Sequence, residues 1–116
     1  MSPVGGPGVR VLVWYRESEE DPAALHHAFE LVEKAMRGTP GLLRSELLRS
    51  VVHSGRFAVH SEWTGLDAFL AWEQGTEHRR DTAPLRPYQD TGTGQVYDVY
   101  TVDREQTGRT PTNGTA

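Results

Sequence analysis

The repeat of side-chain character changes once, and sharply, between Arg56 and Glu73, in RFAVHSEWTGLDAFLAWE. From Phe57 to Trp63 the period is two: Phe57, Val59, Ser61 and Trp63 share one face of an extended chain, and Ala58, His60 and Glu62 the other. From Thr64 onward it becomes helical, with Leu66, Phe69, Leu70 and Glu73 on one face, apolar until its last turn. Thr64 can accept at the helix start, with Asp67 three residues on imitating a capping box. A strand that hands a Trp to a helix belongs to an α+β corner. The polar run after Gly75, with His78-Arg79-Arg80 and then Pro84-Leu85-Arg86-Pro87-Tyr88, reads as a loop able to wall a pocket beside that corner.

The rest of the chain supplies the partners such a corner needs. Val9 to Tyr15 is a strand with Val9, Val11, Val13 and Tyr15 on one face and Leu12 and Trp14 on the other, which predicts an interior position. Asp21-Pro22 suits a helix start. Leu25, Ala28, Phe29, Val32, Ala35 and Met36 then form one apolar stripe to about Arg37, closed by Gly38 and Pro40-Gly41. Leu42 to Val52 reads as a long strand whose polar insertions predict a bulge. His53-Ser54-Gly55 is a hairpin connection with Gly55 free to take a positive φ. Gln95 to Val102 is the last strand. The order strand, helix, strand, strand, helix, strand predicts a ferredoxin-like α+β fold, a four-stranded antiparallel sheet with both helices on one face. Strands apolar on both faces then predict that the open face packs on a second copy, giving a homodimer.

At 116 residues one domain is the ceiling. The expected division is a flexible arm over 1–8, the domain over 9–103, and a disordered tail over 104–116. The net charge of −4 gives no electrostatic argument for nucleic acid or an anionic membrane surface. Eleven of the twelve basic residues are Arg, which fits a GC-rich genome better than an Arg-specific task. The absence of Cys removes disulfides, thiolate metal sites and Cys nucleophiles. No apolar run reaches the length of a membrane span and no secretory signal is visible, so a cytoplasmic protein is the expectation.

Several side chains could carry chemistry. His78 is the best acid–base candidate, because its ordinary pKa lies near working pH. Arg86, between Leu85 and Pro87, could hold a carboxylate or oxyanion. Trp63 can fill the core or wall a pocket, whereas Trp72, off the apolar stripe of its helix, and Trp14, opposite the Val stripe of the first strand, read as packing or dimer contacts. Tyr88, Tyr97 and Tyr100 could donate to a phenol or quinone. His60 and Glu62 share a strand face and are expected to pair at the interface between copies. His26-His27 beside Glu30 reads as surface, no metal motif has a specific spacing, and no phosphate loop, GxGxxG or GxSxG is present, so no cofactor is expected.

Taken together, Pro40-Gly41-Leu42, Ser45-Glu46-Leu47-Leu48, Phe57-x-Val59-x-Ser61-Glu62-Trp63, Ala68-Phe69-x-Ala71-Trp72 and His78-Arg79 resemble the antibiotic biosynthesis monooxygenase family over roughly 9–102. The resemblance implies a dimeric α+β barrel. It also implies a small oxygenase that turns polycyclic polyketide anthrones or phenols into quinones with dioxygen and without metal, haem or flavin, in antibiotic biosynthesis. Trp63 would then be a pocket residue beside the reacting ring and Arg86 a substrate-orienting one, with His78, Trp63 and Arg86 catalytic and Val59, Phe69, Trp72 and Tyr88 against the substrate. The chain departs from its characterised relatives at Val59, where they carry an Asn four residues before the Trp. The first strand also lacks the Asn of haem-degrading relatives, and Asn113 is the only Asn present. His78, Arg86 or a Tyr must then replace the lost amide donor. A polyketide cyclase or other non-redox tailoring enzyme, or a non-catalytic small-molecule binding protein, would fit the same pocket.

Overall fold

The most apolar strand, β1 (Val9–Arg16), lies inside a four-stranded antiparallel sheet with β3 (Arg56–Trp63) on one side and β4 (Tyr97–Thr101) on the other, and β2 (Leu42–Arg49) pairs outside β3. This structure is a computed structural model and describes residues 6–92 and 94–108. The expected arm and tail therefore fall partly outside the described residues, at 1–5 and 109–116, as does Asn113. Order β2-β3-β1-β4 is the ferredoxin-like arrangement, as the element sequence predicted. Among the described residues no helix is long and apolar enough to cross a membrane.

Register decides which side chains meet. Val9 pairs with Trp63, Val13 with Val59, and Tyr15 with Phe57, so β1 and β3 present one apolar surface to the helices. α1 (Ala24–Ala35) buries Leu25, Ala28 and Val32 against Tyr15, Phe57 and Leu85. Removing one such aliphatic side chain from water contributes about 1.5–3 kcal/mol. α2 (Leu66–Glu73) delivers Phe69 to a second cluster with Val9, Val11 and Trp63.

Boundaries differ from the sequence reading for local reasons. α1 starts after a turn, not at Pro22, and ends at Ala35 with Met36 as its cap. α2 is capped at Gly65 with no side-chain bond, so Thr64 does not cap it. The expected long second strand stops at Arg49, because Ser50 Oγ accepts the amides of Val52 and His53 and turns the chain out. The bulge predicted there is present between Leu42 and Arg44. The stretch after Gly75 is not a loop: α3 (His78–Thr82) is followed by a 3₁₀ turn over Ala83–Tyr88. His78 therefore begins a third helix instead of lying in a loop.

Two glycines matter to these joins. Gly55 closes the β2–β3 connection at φ +82°. Gly41, at φ +84°, lies so near α2 that a Cβ there would meet the Ala68 methyl.

On the opposite face of the sheet, His60 does not pair with Glu62. Its Nδ1 lies 2.9 Å from Glu46 Oε1, its register partner on β2, while Arg44 bridges Glu46 at 3.0 Å and Glu62 at 3.8 Å. Residues two apart on one strand are separated by about 7 Å, whereas directly opposed residues approach to about 5 Å, and the nearer partner wins. The hydrogen bond from His60 holds the Glu46 carboxyl below its usual pKa.

Candidate active site

Between the sheet and the short helices lies a cavity of about 290 Å³, at the small end of the range of roughly 300–1,000 Å³ for ligand sites. Val11, Val13 and Tyr15 of β1 form its floor. Phe69, Trp72 and Glu73 of α2 make one wall, and His78, Thr82 and Arg86 face them from α3 and the 3₁₀ turn. Gln89, Val96 and Tyr97 edge it toward β4. The floor and one wall are largely apolar and aromatic, with His78 and Arg86 on one side of the space and Glu73 on the other.

His78 stands edge-on to Trp72, ring centroids 4.5 Å apart at 89°, a favourable quadrupole geometry. Burial depresses its pKa below the usual 6.5, and the Arg86 guanidinium adds to the shift, while Glu73 opposes it. The shift favours the neutral imidazole. Arg86 Nη2 donates to Thr82 Oγ1 at 3.0 Å, and the Thr82 hydroxyl donates to the His78 carbonyl at 2.9 Å. This chain fixes Arg86 relative to the first turn of α3.

Tyr15 is buried in the floor. Burial pushes its hydroxyl up to about 12 against the opposing pull of Arg86, so it remains an O–H donor at any working pH. At the rim Tyr97 donates to Glu73 Oε2 at 3.1 Å, tying β4 to α2. That bond raises the Tyr97 pKa. Sequence reasoning did not single out Glu73, Tyr15 or Gln89 for the site. The signal for Glu73 was present, since an otherwise apolar helical stripe ends on it.

The residues singled out from sequence are partly brought together. His78, Arg86, Phe69 and Trp72 line the cavity. Trp63 does not: it is 0% exposed, one layer behind, with its ring 5.5 Å from Phe69 and 5.4 Å from Trp72. Its Nε1 donates to Ser61 Oγ at 3.0 Å, the partner that a buried indole needs. Val59 and Tyr88 pack against the first core cluster, also outside the cavity. Trp14 and Tyr100 lie on the opposite face of the sheet, opposed to Ala58 and Arg10. His26 is exposed, its ring edge on Phe57. Among the described residues no three His, Asp or Glu side chains gather as metal ligands.

A sequence profile of the antibiotic biosynthesis monooxygenase family matches residues 7–81. The chain belongs to that family. No curated protein matches it in sequence, but solved structures do match in shape. SnoaB from Streptomyces nogalater, a cofactor-independent oxygenase, is 19% identical; the match covers 88% of this chain and 97% of that one, with a TM-score of 0.66, and 0.67 for a single-substitution mutant of SnoaB at the same identity and coverage. A conserved protein from Methanosarcina mazei Go1 matches at 8% identity over 82% of this chain and 90% of its own, TM-score 0.63. At these identities the likeness is one of fold, and the monooxygenase-family fold is what these structures share with the chain.

Proposed function

We propose that the chain is a cofactor-independent monooxygenase that oxidises a polycyclic anthrone or phenol to a quinone in polyketide antibiotic biosynthesis. The observation that carries this reading is the imidazole of His78 beside Arg86 on one side of an aromatic-walled cavity. In the family fold shared with SnoaB, this supplies a base and an anion partner where a planar substrate would stack on Phe69 and Trp72. His78 takes a proton from the substrate carbon, and the resulting oxyanion is held by Arg86 and the Tyr15 O–H. That carbanion gives one electron to dioxygen, the substrate radical and superoxide recombine to a peroxide anion, this takes the proton back from His78, and the hydroperoxide loses water to leave the quinone. Here Trp63 holds Phe69 and Trp72 in place from behind, and the donor role of the absent strand Asn falls to Arg86 and Tyr15.

The experiment is dioxygen uptake by metal-stripped protein with dithranol as the anthrone. Uptake above the spontaneous rate with quinone formed supports the reading. Binding of dithranol without uptake would favour a cyclase or a binding protein, for which the same acid–base groups suffice. The pH profile has a defined sign. Because burial lowers the His78 pKa, the base stays competent from neutral pH down through 6.5 and the rate falls only as pH drops past the lowered value; an acid limb above 6.5 would remove His78 from this role.

We also infer that two copies pack through the sheet face carrying Leu12, Trp14, Leu48 and Tyr100, opposite the helices. Sedimentation should then give twice the 12.9 kDa of the chain, and Trp14→Glu should give the monomer.

A further inference from the structure

A second and larger space, an open cleft of about 630 Å³ lined mostly by exposed residues, adjoins the first, and among the described residues Trp72 alone lines both. On the His78 side the indole is hemmed in by rings: His78 at 4.5 Å, Trp63 at 5.4 Å and Phe69 at 6.1 Å between centroids. On the far side it borders the cleft together with Ala68, Ala71 and Gly75 and with the polar Thr76, Glu77 and Asp81. The side of the indole that borders the larger space is therefore the side with open room beside it. A polar tie fixes the indole where it stands, the bond from Trp72 Nε1 to Asp81 Oδ2 at 3.3 Å, and Asp81 itself lines the larger space. Asp81 is 5% exposed, and its other carboxylate oxygen lies 4.0 Å from Arg80 Nε, beyond hydrogen-bond distance. A buried carboxylate aimed at an indole N–H and edging an open chamber has a more specific task than holding α3 to α2.

We propose that Trp72 is a partition locked by Asp81, and that its position sets the size of the aromatic substrate. With the partition in place the His78 cavity accepts a tricyclic phenol. With it displaced, the two cavities become one slot in which a linear four-ring phenol can extend past α2, its far hydroxyls toward the Asp81 carboxylate. This inference rests on the aromatic reading of the His78 cavity and names the residue that limits it.

Calorimetric binding of dithranol, with three fused rings, and of a hydroxylated tetracenone, with four, tests this without any need for turnover. The wild-type protein should bind the three-ring compound about tenfold more tightly than the four-ring one, a usual penalty for a group that a pocket cannot house. Trp72→Ala should abolish or reverse that preference. Trp72→Phe keeps a ring against Trp63 but cannot bond Asp81, and should give an intermediate ratio in a well-packed protein. Asp81→Ala should shift the ratio the same way, whereas Asp81→Asn, which retains an acceptor for the indole, should preserve it. An unchanged three-to-four-ring ratio in both Trp72 variants, with dithranol still bound, overturns the partition and leaves the cavity reading standing. Failure of the wild type and every variant to bind either compound overturns both.

Discussion

Trp63→Ala is expected to lower the unfolding free energy by about 3–5 kcal/mol, the range for deleting a large aromatic from a packed core. The side chain is wholly enclosed, and its loss would leave Phe69 and Trp72 without a neighbour and Ser61 without its donor. Urea unfolding followed by far-UV circular dichroism would read the change in midpoint at constant slope. Trp63→Phe should cost less, because most of the volume stays. The pair separates two roles for this residue. If Trp63 holds the cavity wall from behind, activity should fall in proportion to the disorder it introduces and Trp63→Phe should remain largely active. A stable Trp63→Phe protein devoid of activity would show that the indole itself meets the substrate.

His78→Ala is expected to slow quinone formation by about 10²–10⁴-fold, the usual contribution of a positioned general base. The accompanying loss of stability should be small, near the 0.5–1.5 kcal/mol of an aromatic edge contact, because the ring contributes its contact to Trp72 and little else. Oxygen-electrode rates across pH would show both the drop and the disappearance of the acid limb. A variant that retains the wild-type rate and acid limb would assign the proton to another group, and Glu73 is the carboxylate within the same cavity.

The sheet was legible because alternation of Val9, Val11, Val13 and Tyr15 is matched by that of Phe57, Val59 and Trp63, and burying both stripes on the same helices leaves one workable pairing. The burial of Trp63 followed from the same parity. Less could be read where the period is short or absent. His78–Thr82 makes one helical turn, too little for periodicity to register, so a helix looked like a loop. The second strand looked too long because Val51 and Val52 are apolar and yet 96% and 78% exposed, beyond the turn made by Ser50. His60 seemed matched with Glu62 because only one strand was in view; the register that brings Glu46 opposite it is a property of the folded sheet. Which face of Trp72 meets which cavity was equally hidden, since it depends on a hydrogen bond to a residue nine positions away on another helix.

β1 is synthesised before its sheet partners yet occupies the middle of the sheet, and its first residue pairs with both Trp63 and Thr101. No hairpin can form on it while the ribosome is still making α1 and β2, and among the described residues the pairing between strands close in sequence is that of β2 with β3. Folding is therefore expected to begin with that later hairpin and to recruit β1 backwards across a loop of some forty residues, with β4 joining the far edge of β1. Until then a strand apolar on both faces waits without a partner, which makes slow translation or delayed release the period of greatest exposure to aggregation for this chain.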